Sequence, residues 1–476
     1  MQSKDKAIKL IISDPHGEHL PFIDLIKSKI GLFDNPKNSL CVLGDIYDRG
    51  ARPDLIIDFL IANLNKSHDN ICIVFGNHDV LWLGAMTGNL ACIANALRVN
   101  IAYNNFDFLK VGCGIDLRPL SGFAGKMYEA DPCERFKIKA FDQNETADFD
   151  LDSAAKMHKA ISIIQFKLEA DLIIKNPNLD MIDRIHLDKI DFESGTVVAS
   201  GKAHPLLDNN FPSINKDNPF ALSAEEKSII DDLQKQFLSS KNLQKHLDFF
   251  KKVGCVFKKY DGRLLFHACV NMQNDKKLKQ FSVKPLLSQQ AANKKNVVQG
   301  QSYFEYLQDY IDFAIGAKCK GGSPNTKAEK SGKPDYKTDC KSDTKADQAQ
   351  IQSDPFFWQM WCSKNSPFFG KEKMATFERF FVADKDTHAE PLDPYFAIRE
   401  NKNALDLILN DFDISSDGTI VNGHMPVKVK NDENPFKAGK KLICIDGGMT
   451  KSYQKATGIK GYYLIDDGLN LSLYEI

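Results

Sequence analysis

Residues 40–50 read LCVLGDIYDRG. An apolar run, a glycine, a carboxylate and then Asp48-Arg49-Gly50 describe a short strand buried on both faces that empties into a polar turn. The same grammar recurs on either side. Upstream, the apolar run 7–13 ends in Asp14-Pro15-His16-Gly17; downstream, 71–75 ends in Gly76-Asn77-His78-Asp79. Asp14, Asp45 and Asn77 therefore recur about 31 residues apart. Between them, 19–30 (Leu20, Ile23, Ile26, Ile30) and 53–64 carry apolar residues at helical spacing. Strand, polar turn, helix, strand is the βαβ pattern of an α/β fold. Ligands of such sheets bind at the carboxyl ends of the strands, where these turns fall.

Further along, strand signals return at 263–267, 418–422, 441–445 and 461–465. Two of them end in histidine, as Phe266-His267 and Asn422-Gly423-His424. The pattern divides the chain into a core in three pieces, 1–115, 251–316 with His267, and 416–476 with His424. A mostly helical insertion is expected over 116–250, where 156–174, 225–237 and 242–250 have amphipathic spacing, and a further block over 353–415. Residues 317–352 contain no Leu, Val, Phe, Met or Trp, and their eight Lys are offset by five acids. Such a stretch buries too little apolar surface to offset its ordering entropy, and a flexible low-complexity loop is expected.

Composition narrows the function. The 476 residues include 62 Lys+Arg and 63 Asp+Glu, so a polybasic nucleic-acid binder is excluded. No apolar run approaches about 18 residues, so no membrane span is expected. The start, MQSKDKAIKLIISD, has no signal-peptide core. Eleven cysteines, an odd number without any C-x-x-C, sit largely in apolar runs such as SLCVLGD and LICIDGG. They read as reduced, buried thiols of a cytoplasmic protein rather than as disulfides or a zinc site.

The five motifs, D-x-H-G, G-D-x-x-D-R-G, G-N-H-D, F-H and N-G-H, in this order, resemble the calcineurin-like metallophosphoesterases. That resemblance implies a four-layer αββα sandwich and hydrolysis at a pair of divalent ions. Two metals about 3.5–4 Å apart clamp the attacking and leaving oxygens of a phosphate ester, and carboxylate, amide and imidazole ligands suit Mn, Fe or Zn. By resemblance, Asp45 bridges both ions. Asp14 and His16 complete the first site with it; Asn77, His267 and His424 complete the second. His78 corresponds to the family's general acid or phosphate-contacting histidine. Asp48 would hold that imidazole charged and oriented, and Arg49 would grip the phosphoryl oxygens with a fork that Lys cannot reproduce. Asp79 is expected to cap, Gly17 and Gly50 to allow tight turns, Pro15 to stiffen the ligand turn and Asp446-Gly447-Gly448 to form a turn near the site. His158, in AAKMHKAISIIQFKLE, reads as a packing histidine.

Longer blocks, among them GNHDVLWLGAMTGNLACIANALRV (76–99), LLFHACV (264–270), SPFFGKEKMATFERFFVADKDTHAE (366–390) and ICIDGGMTKSYQKATGIKGYYLI (443–465), resemble the class III, firmicute-type fructose-1,6-bisphosphatases. This resemblance implies release of the 1-phosphate of fructose 1,6-bisphosphate, a gluconeogenic step, usually with Mn²⁺, and it leaves room for a homo-oligomer. The phosphate that does not react needs its own cations, and Lys371, Lys373 and Arg379 are the candidates, ahead of Lys428 and Lys451. Against the family pattern, the N-terminal extension, the insertion between the first two motifs and the C-terminal tail are short or missing. Family regulation by nucleotides or phosphoenolpyruvate is therefore not expected to carry over directly. The alternatives are another metal-dependent phosphomonoesterase, acting on phosphoproteins or dinucleoside polyphosphates, and an inactive metal-binding scaffold.

Overall fold

The computed structural model describes residues 7–138, 150–283, 297–316, 345–446, 448–450, 453–454 and 457–476. The apolar runs become strands β1 (Lys9–Ile12), β2 (Ser39–Val42) and β3 (Ile71–Val74). Strands β4 (Ile190–Asp191), β5 (Thr196–Ala199) and β6 (Lys202–Pro205) form a small antiparallel sheet. Next come β7 (Gly254–Cys255), β8 (Phe257–Tyr260) and β9 (Arg263–Phe266), then a two-stranded ribbon of β10 (Phe281–Ser282) and β11 (Val297–Val298). Strands β12 (Thr419–Asn422), β13 (Phe436–Lys437), β14 (Leu442–Cys444), β15 (Tyr462–Asp466) and β16 (Leu471–Glu475) complete a mixed α/β molecule.

Two sheets position the site. One has the order β16-β15-β1-β2-β3-β7, the other β13-β14-β12-β9-β8. In the first, β1, β2, β3 and β7 run parallel; in the second, β9, β12 and β14 do. The period of two along each strand explains why the runs carry no polar alternation. Leu10, Ile12, Leu40, Val42, Ile71 and Ile73 join the large core that includes the helices. Ile11, Cys41 and Val74 point the other way and meet Leu265, Val421 and Ile443 of the second sheet. Both faces are dry, as a covered parallel sheet requires.

The expected helices are present. The 156–174 pattern lies within Leu151–Lys175, capped by the Asp150 side chain. Ala224–Ser239 begins with a Ser223/Glu226 capping box, and Lys241–Val253 follows at once. The 19–30 pattern is a helix only to Asp24, then widens into a π-helical stretch, Leu25–Ile30, that stops at left-handed Gly31.

Two expectations gain detail. The stretch 116–250 also contains β4–β6, whose hairpin turns through Ser200 (φ 49°) and Gly201 (φ 76°). Two consecutive positive φ values are the signature of a tight hairpin turn, and Ser-Gly supplies them. The flexible-loop reading of 317–352 falls outside the described residues as far as 344. From there Lys345–Ser353 is a helix, running into the buried helix Phe356–Cys362. Among the described residues, no helix is long and apolar enough to cross a membrane.

Candidate metal centre

The carboxyl ends of the parallel strands of both sheets converge. His424 N donates to Asp14 Oδ2 at 3.0 Å across 410 residues of sequence. An imidazole nitrogen of His267, Nδ1, meets the Leu43 carbonyl at 2.7 Å. Asp14, His16, Asp45 and His424 all adopt the left-handed backbone region, with φ of 52°, 47°, 53° and 68°. For residues with a Cβ this conformation is strained, and such strain gathers at functional sites. Gly44 (φ 83°) makes the turn before Asp45 workable. A Cβ there would also lie 2.5 Å from Gly76 N and 2.7 Å from His267 Nδ1.

Two groups of ligand atoms result, Asp14–His16–Asp45 and Asp45–His267–His424, each with its atoms within 4.8 Å of one another. Asp45 belongs to both. The second group is preset for a cation. With Nδ1 of His267 donating to Leu43, its Nε2 carries the lone pair, and it lies 3.1 Å from His424 Nδ1 and 3.6 Å from Asp45 Oδ2. Burial pushes His267 down to about 3 and His424 well below its ordinary value, so both rings are neutral, the form that binds metal. Asn77, at the start of the helix Asn77–Met86, has a buried Oδ1 with no hydrogen-bond partner among the described residues. Asp14 Oδ1 and His16 Nε2 are in the same condition. Orphaned buried acceptors are costly unless an ion or an ordered water satisfies them.

The electrostatics agree with the geometry. Burial, then the neighbouring Asp446, raises Asp14; burial, then Asp14, raises Asp45. Burial pushes Asp446 up to about 6. Asp446 Oδ1 accepts from Gly448 N at 2.7 Å, while Oδ2 is buried without a partner, so this turn stands beside Asp14 and His16 as expected. Buried carboxylates this close repel one another until cations arrive. The donors therefore fit a pair of divalent ions. Asp79 caps rather than ligates: it accepts from the backbone N–H groups of Asp45, Ile46, Tyr47 and Gly76 at 2.8–3.3 Å.

Asp48 serves two rings. Its Oδ2 is 3.1 Å from His16 Nδ1 and its Oδ1 is 3.1 Å from His78 Nε2, with Arg49 Nε at 3.6 Å from Oδ1. Burial would lower His16, but Asp48 turns the net shift upward. For His78 burial wins over Asp48 and holds the ring at about 4. In this structure His78 is thus neutral near pH 7, not charged as expected from the motif. Trp361 packs edge-on against it at 4.6 Å between centroids. Arg49 lies over Tyr453 at 4.4 Å and near Tyr103 at 5.4 Å.

These groups open into a cleft of about 570 Å³, within the range of about 300–1,000 Å³ usual for small-molecule sites. Lys371 and Arg379 line it; Lys373 does not. All three are already engaged. Lys371 and Arg379 pair with Glu390 at 2.8 and 3.1 Å, and Lys373 pairs with Glu378 at 3.2 Å. Lys428 is exposed, and Lys451, like Gly447, lies outside the described residues. His158 does pack as expected, its Nδ1 2.8 Å from the Phe136 carbonyl, yet its ring also reaches the cleft wall. Arg98, Arg135 and Lys137 line the cleft as well, and sequence reasoning passed over them. Arg98 carried the only available signal, a lone cation in the apolar stretch ACIANALRV.

The comparisons with known proteins bear on the whole chain. The model of the firmicute fructose-1,6-bisphosphatase family matches residues 37–329 and 334–476. A class 3 fructose-1,6-bisphosphatase of Finegoldia magna is 39% identical over 436 residues, covering 91% of this chain and 61% of that protein. Those of Clostridium botulinum strains 657 and Alaska E43 are 38% and 40% identical over 437 residues, covering 92% and 91% of this chain and 59% and 60% of theirs. The chain thus spans about three fifths of the length of these relatives. A solved cold-active protein tyrosine phosphatase aligns with 98% of this chain and 76% of its own at 12% identity, but with a TM-score of 0.36 the likeness is too loose to bear on fold or function. With more than nine tenths of its length aligned to such relatives and the family model matching nearly all residues after 36, the chain belongs to the firmicute fructose-1,6-bisphosphatase family.

Proposed function

We infer that the chain hydrolyses the 1-phosphate of fructose 1,6-bisphosphate, giving fructose 6-phosphate and phosphate, a gluconeogenic reaction in the cytoplasm. The observation that carries this reading is the sharing of Asp45 by two ligand groups, buried but for a half-buried His424, at the floor of a cleft lined by Arg49 and further cations. Membership of the family supplies the substrate class. The two face-packed sheets with helices on their outer sides are read as the calcineurin-like αββα sandwich. The core is taken as 1–115, 251–316 and 416–476, with 116–250 and 353–415 built onto it.

Asp14, His16 and Asp45 would hold one divalent ion, and Asp45, Asn77, His267 and His424 the other, with Mn²⁺ the expected metal. Such ions clamp the phosphoryl oxygens and acidify a water nucleophile. The chain's own residues do the rest. Arg49, fixed by Asp48 and its tyrosine neighbours, forks onto the phosphoryl oxygens. Asp48 holds the His78 ring through Nε2, leaving the other nitrogen to serve the leaving oxygen on C1. An entering phosphate adds negative charge beside a ring already facing Asp48, which favours its protonated form. His78 then passes that proton to the leaving oxygen.

The test is phosphate release by metal-stripped protein resupplied with Mn²⁺. Fructose 1,6-bisphosphate would be run beside p-nitrophenyl phosphate, phosphopeptides and diadenosine tetraphosphate. Strong preference for the sugar bisphosphate is expected. Hydrolysis of the other esters with none of the sugar would discard the substrate and keep the two-ion chemistry.

A further inference from the structure

A sugar bisphosphate brings two phosphates into the cleft, and Arg49 with the metal ligands accounts for one. The remaining cations differ in what already holds them. Lys371 and Arg379 share Glu390, which also accepts from Ala375 N. Lys137 pairs with Glu134 at 2.6 Å, and Arg135 donates to the carbonyls of Arg379 and Phe380. An anion could recruit Lys371, Arg379 or Lys137 only by competing with a carboxylate, and Arg135, though it forms no ion pair among the described residues, has already committed Nε and one terminal amino group to those carbonyls.

Arg98 is different. It sits on the helix Leu90–Ala102, with Val99, Ala102 and Tyr103 beside it on the cleft wall. Its Nε donates to Gln165 Oε1 at 2.6 Å, and among the described residues it forms no ion pair. The acid behind it is spent elsewhere. Glu169 Oε1 accepts from Gln165 Nε2, Asn95 Nδ2 and Trp358 Nε1 at 2.9–3.0 Å, and Oε2 accepts from Arg184 Nη2 at 2.7 Å. Gln165 is therefore a spacer between Glu169 and Arg98: it orients the guanidinium without neutralising it. The charge is poorly solvated, since burial pushes Arg98 down to about 10, and it is felt by both Arg49 and His78. A guanidinium whose Nε is committed still presents its two terminal amino groups as a fork, the geometry that grips two oxygens of a phosphate.

We propose that Arg98, set in place by Gln165, receives the phosphate that is not hydrolysed, and so makes the cleft selective for a sugar bisphosphate over a sugar monophosphate. This rests on the reading of the site as a fructose-1,6-bisphosphatase. Lys371 and Arg379 are then a locked rim, held by Glu390, rather than the second phosphate's main anchor.

The experiment compares steady-state kinetics of the full chain with Mn²⁺ on fructose 1,6-bisphosphate and on fructose 1-phosphate, which shares the reacting ester and lacks the second phosphate. Wild type should prefer the bisphosphate. Arg98→Met should cut kcat/KM for the bisphosphate by about 10²-fold, mainly through KM, and far more than for fructose 1-phosphate, so that the preference collapses. Arg98→Lys, which keeps the charge and loses the fork, should fall between. Equal losses on both substrates would overturn the assignment and place Arg98 at the reacting phosphate or in the scaffold. Should Arg98→Met fail to fold, judged by melting and metal content, Gln165→Met tests the same idea by releasing the guanidinium. Its KM for the bisphosphate should rise several-fold, and an unchanged KM overturns the proposal. A wild type active on other esters but on neither sugar would overturn the functional reading itself, an outcome distinct from a preference that survives in Arg98→Met.

Discussion

At the scale of single residues, Asp45 is the hinge of the site, because it alone belongs to both ligand groups. Asp45→Asn removes the charge proposed to bridge the two ions while keeping the shape. Phosphate release should fall by about 10³-fold or more, with metal content reduced at both positions and the melting temperature of the stripped protein little changed. Retained turnover would show that the bridge is elsewhere. His78→Ala should separate from it by keeping its metal while kcat falls by about 10²–10⁴-fold; loss of metal instead would make His78 structural. Asp48→Asn belongs between the two, since it touches His16 and His78 at the same distance of 3.1 Å. It should weaken metal affinity about 10–100-fold and lower kcat together, and a change in only one of these would show that one contact is idle. The sequence singles these residues out because each stands at or just after the end of an apolar run, where a turn falls at the carboxyl edge of the sheet. It does not single out Arg98, because a cation in mid-helix has no spacing that separates a ligand contact from a solvated face. The pairing of Lys371 and Arg379 with Glu390 was not legible either, because Glu390 lies 19 and 11 positions further along in a stretch with no periodicity.

At the scale of elements, the long helices were legible from their apolar spacing and the strands of the two main sheets from their apolar runs, while the short strands within 116–250 were not. Strand β6, KAHP, has four residues and a single buried side chain, His204, so it carries no pattern, and its Ser200-Gly201 turn was the only cue. What binds the helices to one another was also hidden. Lys167 on Leu151–Lys175 and Glu226 on Ala224–Ser239 meet at 2.7 Å with both side chains fully buried, and Lys167 also donates to the Ser213 carbonyl. Sequence patterning would place a lysine on the solvent side; here the pair compensates for what either charge alone could not tolerate. Lys167→Met leaves Glu226 buried without its cation and should cost about 3–5 kcal/mol, read as a lower urea midpoint. Adding Glu226→Gln removes the stranded charge and should recover part of that loss. If the double variant is no more stable than the single one, the cost lies in packing and not in charge. Residual activity per bound metal should be unchanged in either, because this pair faces no group of the cleft.

At the scale of the whole molecule, folding gathers acids that the sequence spreads over more than 400 residues, from Asp14 to Asp446. The strand runs made each turn recognisable, but nothing local reveals that two sheets pack so that their carboxyl edges meet. The gathering has a consequence for stability that can be signed. Asp446 titrates near 3.8 in an ordinary setting and at about 6 in the fold, and Asp14 and Asp45 are raised in the same direction. Below pH 3.8 these groups are protonated whether the chain is folded or not. Between 3.8 and about 6 the unfolded chain releases protons that the fold retains, so stability falls as pH rises, and above 6 the full cost persists. For Asp446 alone the shift corresponds to about 3 kcal/mol. Bound divalent ions supply the opposing charge and remove that cost, and they bind the ionised carboxylates better as pH rises. Stripped protein should therefore lose stability between pH 4.5 and pH 7, and the stabilisation by added Mn²⁺ should be larger at pH 7. Urea midpoints of stripped and Mn²⁺-loaded protein at the two pH values check this. A gap between them that does not change with pH would mean that the carboxylates are already compensated within the chain, and the case for a cation-demanding centre would fall with it.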